Sequence, residues 1–213
     1  MNLFVKTLAA AAVAIAAPLM ASASIVDFDL TSNGDVTQNH GASVVAESGG
    51  LSLTVTGAAF SGGLTGNGWW GDATAWDNGV GLHAGGRDSH WVDGYYDEYL
   101  LLSFSEAVDL TAAAFAYGDG GDDWHVLAGN FYGYSAVDTG MLAGSGYGSS
   151  VYTAAIDGAV SATQFLIGTT GGRSEWKLHG VSVEVAPVPL PASGLLLLAG
   201  LGGVAAMRRR KRG

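Results

Sequence analysis

Apolar and polar positions alternate with a period of two along most of the chain between residues 24 and 187. Leu51-Ser52-Leu53-Thr54-Val55-Thr56 alternates strictly, and Ile25 to Leu30 does so weakly. Tyr99 to Phe104 places Leu100, Leu102 and Phe104 on one face, and Leu110 to Tyr117 sets three alanines opposite Ala113, Phe115 and Tyr117. Trp124 to Tyr132, Val151 to Ile156, Thr163 to Gly168 and Trp176 to Val185 continue the series. A period of two with Gly, Asp, Asn and Ser between the runs predicts β-strands joined by turns. Outside the two chain ends no helical run of ten residues occurs. The expected fold is therefore all-β, with about eight to ten strands in an antiparallel two-sheet sandwich of jelly-roll or Greek-key type. Residues 57 to 97 are rich in Gly, Trp and Asp and weakly periodic, so they are expected to form long loops at one end, where binding sites commonly lie. Trp124 and Trp176 fall in strands and are expected in the core.

The two ends read differently. Lys6 is the one charge before Asp27, an apolar run covers Leu8 to Met20, and Ala21-Ser22-Ala23 is a small-x-small cleavage pattern. This predicts a signal peptide over 1–23 and export by the Sec route. At the other end Val188-Pro189-Leu190-Pro191-Ala192 precedes an uncharged apolar segment, 193–207, and then Arg208, Arg209, Arg210, Lys211 and Arg212. Two prolines two residues apart keep the first part extended, in a form that fits a protease cleft. The apolar segment reads as a short hydrophobic helix that anchors in the inner membrane. The basic stop stays on its cytoplasmic side, so residues 24–187 face outward.

Residues 188–192, the apolar segment and the arginine-rich end follow in the order of a bacterial sorting signal. This tail resembles the PEP-CTERM class in its Val-Pro-Leu-Pro-Ala variant (VPLPA-CTERM). The resemblance covers roughly an eighth of the chain. It implies a Gram-negative host, a membrane-embedded exosortase that recognises and cleaves the tail, and a place at the cell surface or in an exopolysaccharide matrix. It implies no activity for the domain upstream.

The chain between the two signals, 24–187, is long enough for one domain with its own core. It has no cysteine, so no disulfide braces it. It keeps only Arg87, Arg173 and Lys177 as basic side chains against all 19 acids, a net charge of −16. Such a domain is repelled by nucleic acid and by anionic surfaces. Cations or neutral sugars suit it better.

Two groups of residues carry candidate chemistry. Asp119, Asp122 and Asp123 in one turn, with Asp88 and Asp93 in the long segment, supply the oxygen ligands calcium takes, although neither EF-hand nor nonapeptide-repeat spacing is present. The alternative reading of these acids is a solvated turn. Trp69, Trp70, Trp76, Trp91 and Tyr95 crowd the Gly/Trp-rich segment, and exposed aromatic faces stack on sugar rings. Their alternative is packing within the domain. No Gly-x-Ser-x-Gly elbow, thiol nucleophile, His-Glu-x-x-His motif or phosphate loop occurs. The reading is a non-catalytic surface or matrix protein, structural or carbohydrate-binding. A secreted carbohydrate-active hydrolase, which needs only two suitably spaced carboxylates, is the alternative.

Overall fold

A computed structural model describes residues 23–61, 64, 67–84, 90–143, 150–170, 172–186 and 200. The signal segment up to residue 22, Asp88 and the sorting tail apart from residue 200, with Val188–Ala192 and Arg208–Arg212, lie outside the described residues. From residue 23 to 186 the chain forms one compact unit.

Thirteen strands are found among the described residues: β1 (Ser24–Asp29), β2 (Val36–His40), β3 (Ser43–Ser48), β4 (Leu51–Ser61), β5 (Asn67–Trp76), β6 (Gly79–His83), β7 (Val92–Asp93), β8 (Tyr99–Ala116), β9 (Asp123–Asn130), β10 (Gly133–Met141), β11 (Val151–Ala155), β12 (Ser161–Gly168) and β13 (Glu175–Val185). The all-β expectation holds, and the pairings are antiparallel. The main hydrogen-bonded path runs β10-β9-β12-β8-β13-β6-β5-β4-β3-β2. A further β8–β4 pairing closes a circuit through β13, β6 and β5.

β8 organises this arrangement. The two apolar runs expected as separate strands are one strand of 18 residues. Its first part, Tyr99–Phe104, pairs with β4, and its second, from Val108 on, pairs with β13. Between them Ser105, Glu106 and Ala107 are exposed, and the register against β12 jumps from Ser103 to Val108. The polar stretch that reads as a turn is thus a bulge. It bends the strand and hands it from one partner to the next without ending it.

The segment expected as loops, 57–97, is largely strand, comprising the end of β4 and all of β5, β6 and β7. Its glycines make room within the sheet. A Cβ on Gly71 would stand 2.8 Å from Leu82 Cδ1, and Gly57 also lies against Leu82. Leu82 is fully buried there. Close approach, and not chain reversal, explains these two glycines.

The main core collects Phe28, Leu53, Val55, Leu100, Leu102, Phe115, Phe165, Ile167, Trp176 and Leu178. Trp176 packs edge-on to Phe115, with ring centroids 4.9 Å apart, and Trp124 stacks on the same ring at 6.1 Å, as expected for both. A second, smaller cluster lies on the opposite face of the same strands. Ala58, Phe60, Tyr99, Leu101 and Leu166 form it, with Leu64, Leu127 and Phe131 packed against them. The unbroken apolar run Phe165-Leu166-Ile167 follows from this burial on both faces.

Candidate functional site

The outer cluster is only partly covered, and the gap is aromatic. Ala58, Phe60, Gly68, Trp70, Phe131 and Tyr132, with Leu64 and Trp69, line an open cleft of about 250 Å³. Register places Trp70 across from Ala58 and Gly68 across from Phe60, so all four share a face of the β4–β5 ribbon. A Cβ at Gly68 would stand 2.6 Å from Phe60 Cδ1, so glycine there leaves the Phe60 ring its place. Phe131 meets Trp70 edge-on at 5.3 Å and Phe60 at 5.4 Å. Trp70 is nevertheless 62% exposed and Tyr132 91% exposed.

The tip between β9 and β10 is held to present these rings. Asn130 Oδ1 accepts the Tyr132 backbone N–H at 2.9 Å, a local side-chain turn. Asn130 Nδ2 donates to Gln164 Oε1 at 3.0 Å, and Gln164 Nε2 donates to Ser103 Oγ at 3.2 Å. This amide ladder ties the tip to β12 and β8. The signal for Phe131 and Tyr132 was present as Asn-Phe-Tyr-Gly, but it reads equally as the end of a strand.

The five aromatic residues expected in one loop surface divide among three settings. Trp69, Trp70 and Trp76 lie on β5, not in a loop. Trp69 sits one position from Trp70 and so emerges on the other side of the ribbon. Its Nε1 donates to the Ala84 carbonyl at 3.1 Å, and Tyr96 packs edge-on to it at 5.2 Å. Tyr95 stands against Tyr96 at 4.6 Å and is 74% exposed. Trp76 and Trp91 belong elsewhere. Lys177, 6% exposed, places Nζ 4.2 Å from the centre of the Trp76 ring and 5.6 Å from that of Tyr117. Trp91 packs on Tyr117 and His90 on Trp76. Burial holds the Lys177 amine below its ordinary proton affinity, and the ring faces stabilise the charge that remains. These two half-buried tryptophans pack on Lys177, His90 and Tyr117 and are not among the residues that line the cleft.

The acids expected to share an ion are likewise engaged with the protein. Asp123 Oδ1 accepts from Ser174 Oγ and Thr169 Oγ1, both at 2.5 Å. Its Oδ2 meets His125 Nε2 at 2.7 Å and accepts the Thr170 N–H at 3.2 Å. Burial raises its proton affinity, but these hydrogen bonds outweigh burial and hold the carboxyl well below the usual range. Asp122 is 5% exposed, and its Oδ2 accepts the Asp119 N–H at 2.7 Å. Burial dominates there and pushes the carboxyl up to about 6, with the negative charges of Asp119 and Glu175 adding to the rise. Asp93 lies on β7, where its Oδ1 accepts the Tyr95 N–H at 3.0 Å. Among the described residues no group of three or more His, Cys, Asp or Glu is arranged to hold a metal ion.

A second hollow, about 280 Å³, runs over Ala112, Ala114, Gly180 and Ser182 beside Asp27 and Asp29. Ser182 Oγ donates to Asp27 Oδ1 at 2.6 Å, and Asp29 Oδ1 accepts the Thr31 N–H at 3.0 Å. His179 and the buried Phe28 also line the hollow, but it presents none of the exposed tryptophan or tyrosine faces that border the aromatic cleft. The aromatic cleft is therefore the better candidate, although it is slightly smaller.

No protein family matches the chain, and no curated protein does. Among solved structures, the family 32 carbohydrate-binding module from C. perfringens NanJ, determined in complex with galactose, aligns at 14% identity. The alignment covers 62% of this chain and 93% of that one, with a TM-score of 0.34.

Proposed function

We propose that this is an exported cell-surface or matrix protein whose β domain binds glycan without turning it over, through the cleft between Trp70 and Tyr132. The observation that carries the reading is the exposure of those two rings beside an apolar floor. Scattered exposed apolar residues are ordinary, but a grouped aromatic patch marks an interaction site. Tryptophan and tyrosine offer a flat apolar face with a polar tip, which suits a ligand that is apolar on its ring faces and hydroxylated at its rim. The domain's net charge of −16 favours an uncharged partner over an anionic one.

The positions of the domain ends fit display from a tether. Ser24 pairs with Val185, so both ends leave side by side. Gly49 lies against Val26, which places them near the start of β4. The cleft is at the other end of that 11-residue strand, about 30 Å away at the usual rise per residue. In this reading the Sec route exports the chain, and the VPLPA-type tail holds it briefly in the inner membrane. An exosortase then cleaves it and releases the domain to the cell surface or matrix, where the cleft meets exopolysaccharide or another surface glycan. The sequence of residues 188–213 is the support for that part.

The test is a panel of soluble polysaccharides set into native gels, with reducing ends measured in parallel. Retarded migration without release of reducing ends is expected. Release of reducing ends would favour a hydrolase, and unretarded migration throughout would remove the glycan reading.

A further inference from the structure

The exposed aromatic surface is larger than the cleft. On the far side of the β4–β5 ribbon from Trp70, the rings of Trp69, Tyr96 and Tyr95 follow one another at 5.2 Å and 4.6 Å. That series ends in a Tyr95 ring that is 74% exposed. The two groups are joined through the backbone, because Phe60, in the floor of the cleft, donates its N–H to the Tyr96 carbonyl at 2.6 Å. The Tyr95 backbone N–H donates to Asp93 Oδ1 at 3.0 Å, and Asp97 takes a positive φ of 48° at the reversal into β8. Solvated aromatic rings at two places around one sheet end cover more than a single sugar ring can. Asp93 and Asp97 flank the Tyr95–Tyr96 pair, so anionic sugars are disfavoured there.

Resting on the glycan reading above, we propose that Tyr95 and Tyr96 extend the cleft into a site for several consecutive residues of an uncharged polysaccharide chain, not for one terminal sugar. Each stacked ring then adds its own share of affinity. Binding rises with chain length until both aromatic groups are covered, and Tyr95 matters only to ligands long enough to reach it.

The experiment uses immobilised neutral oligosaccharide ladders of one to six residues (gluco-, manno-, galacto-, xylo- and N-acetylglucosamine series) with an oligouronate ladder as the charged arm. For at least one neutral ladder, affinity is expected to rise about tenfold or more, equivalent to about 1.4 kcal/mol, between one and four residues. Tyr95→Ala should remove about fivefold or more from the long ligands and leave the single sugar unchanged, whereas Tyr95→Phe, which keeps the ring, should retain most of the binding. Affinity independent of length, or a Tyr95→Ala variant that binds long chains like the parent, would overturn the extended site while leaving the cleft intact. Binding that survives Trp70→Ala with Tyr132→Ala, or that is confined to the oligouronates, would overturn the glycan cleft itself. So would retention of no ladder, or self-association through the aromatic surface in its place.

Discussion

Asp122 and Asp123 are neighbours in sequence, yet replacing each with asparagine should move stability in opposite directions at neutral pH. Asp122 is buried, and its carboxyl titrates near 6 against an ordinary 3.8. A carboxyl whose folded value is raised favours the protonated form in the fold, so stability declines as pH rises from about 4 to about 6 and stays reduced above. Two units at about 1.36 kcal/mol each put the ceiling near 3 kcal/mol. Asparagine keeps an oxygen for the Asp119 N–H and removes the buried charge. For a domain of this size that ceiling corresponds to a melting temperature higher by up to about 6–12 °C at pH 7.5, the gain vanishing near pH 4. Asp123 has the reverse sign. Its folded value is depressed, so it stabilises above about pH 4, and that contribution is lost as pH falls below it. Hydrogen bonds to a charged group contribute about 1.5–3 kcal/mol each. Because the Ser174 and Thr169 hydroxyls can turn to the amide oxygen, a net loss of about 3 kcal/mol is expected for Asp123→Asn at neutral pH. Thermal and urea denaturation of both variants from pH 4 to 8 measures this directly. Destabilisation of Asp122→Asn at pH 7.5, or the same sign for both variants, would refute the reasoning.

Three further outcomes follow from the same structure and sequence. Gly79 has a φ of 127°, and a Cβ there would stand 2.5 Å from the Leu178 carbonyl oxygen, so Gly79→Ala should cost about 2 kcal/mol or more, checked by urea denaturation. Because Asp123 is already satisfied by Ser174, Thr169, Thr170 and His125, calcium should raise the melting temperature no more than sodium at matched ionic strength. An excess from calcium would restore a metal role for this turn. Replacing Pro189 and Pro191 with alanine should leave a full-length, membrane-held form in cell fractionation, whereas normal processing of that variant would reduce the tail to a plain anchor.

The strands were legible wherever one face is buried and the other wet. Leu51–Thr56 and Val181–Val185 alternate for that reason and were read correctly. β2 and β10 carry few apolar side chains because they end the hydrogen-bonded path, and an edge strand with little to bury leaves no periodic trace. β5 and β6 were hidden by glycines that normally mark turns and here admit Leu82. The aromatic richness of the candidate site was legible, but its division was not. Whether a tryptophan faces solvent, as Trp70 does, or covers a buried lysine, as Trp76 does, depends on strand register and on Lys177, about a hundred residues further along the chain. Phe131 and Tyr132 join Trp70 only through the β12–β9 and β4–β8 pairings, which no local pattern encodes.

Retention on a polysaccharide affinity gel, by the parent protein and by the Trp70→Ala, Tyr132→Ala double variant, decides whether the solvent-exposed rings of the cleft bind glycan. Both rings are more than half exposed, so the variant should keep the parent's circular dichroism spectrum and lie within a few degrees of its melting temperature. Glycan binding by those rings means that the parent is retarded and that the folded variant loses about tenfold or more in affinity, a change of about 1.4 kcal/mol. A folded variant retarded as strongly as the parent would contradict it.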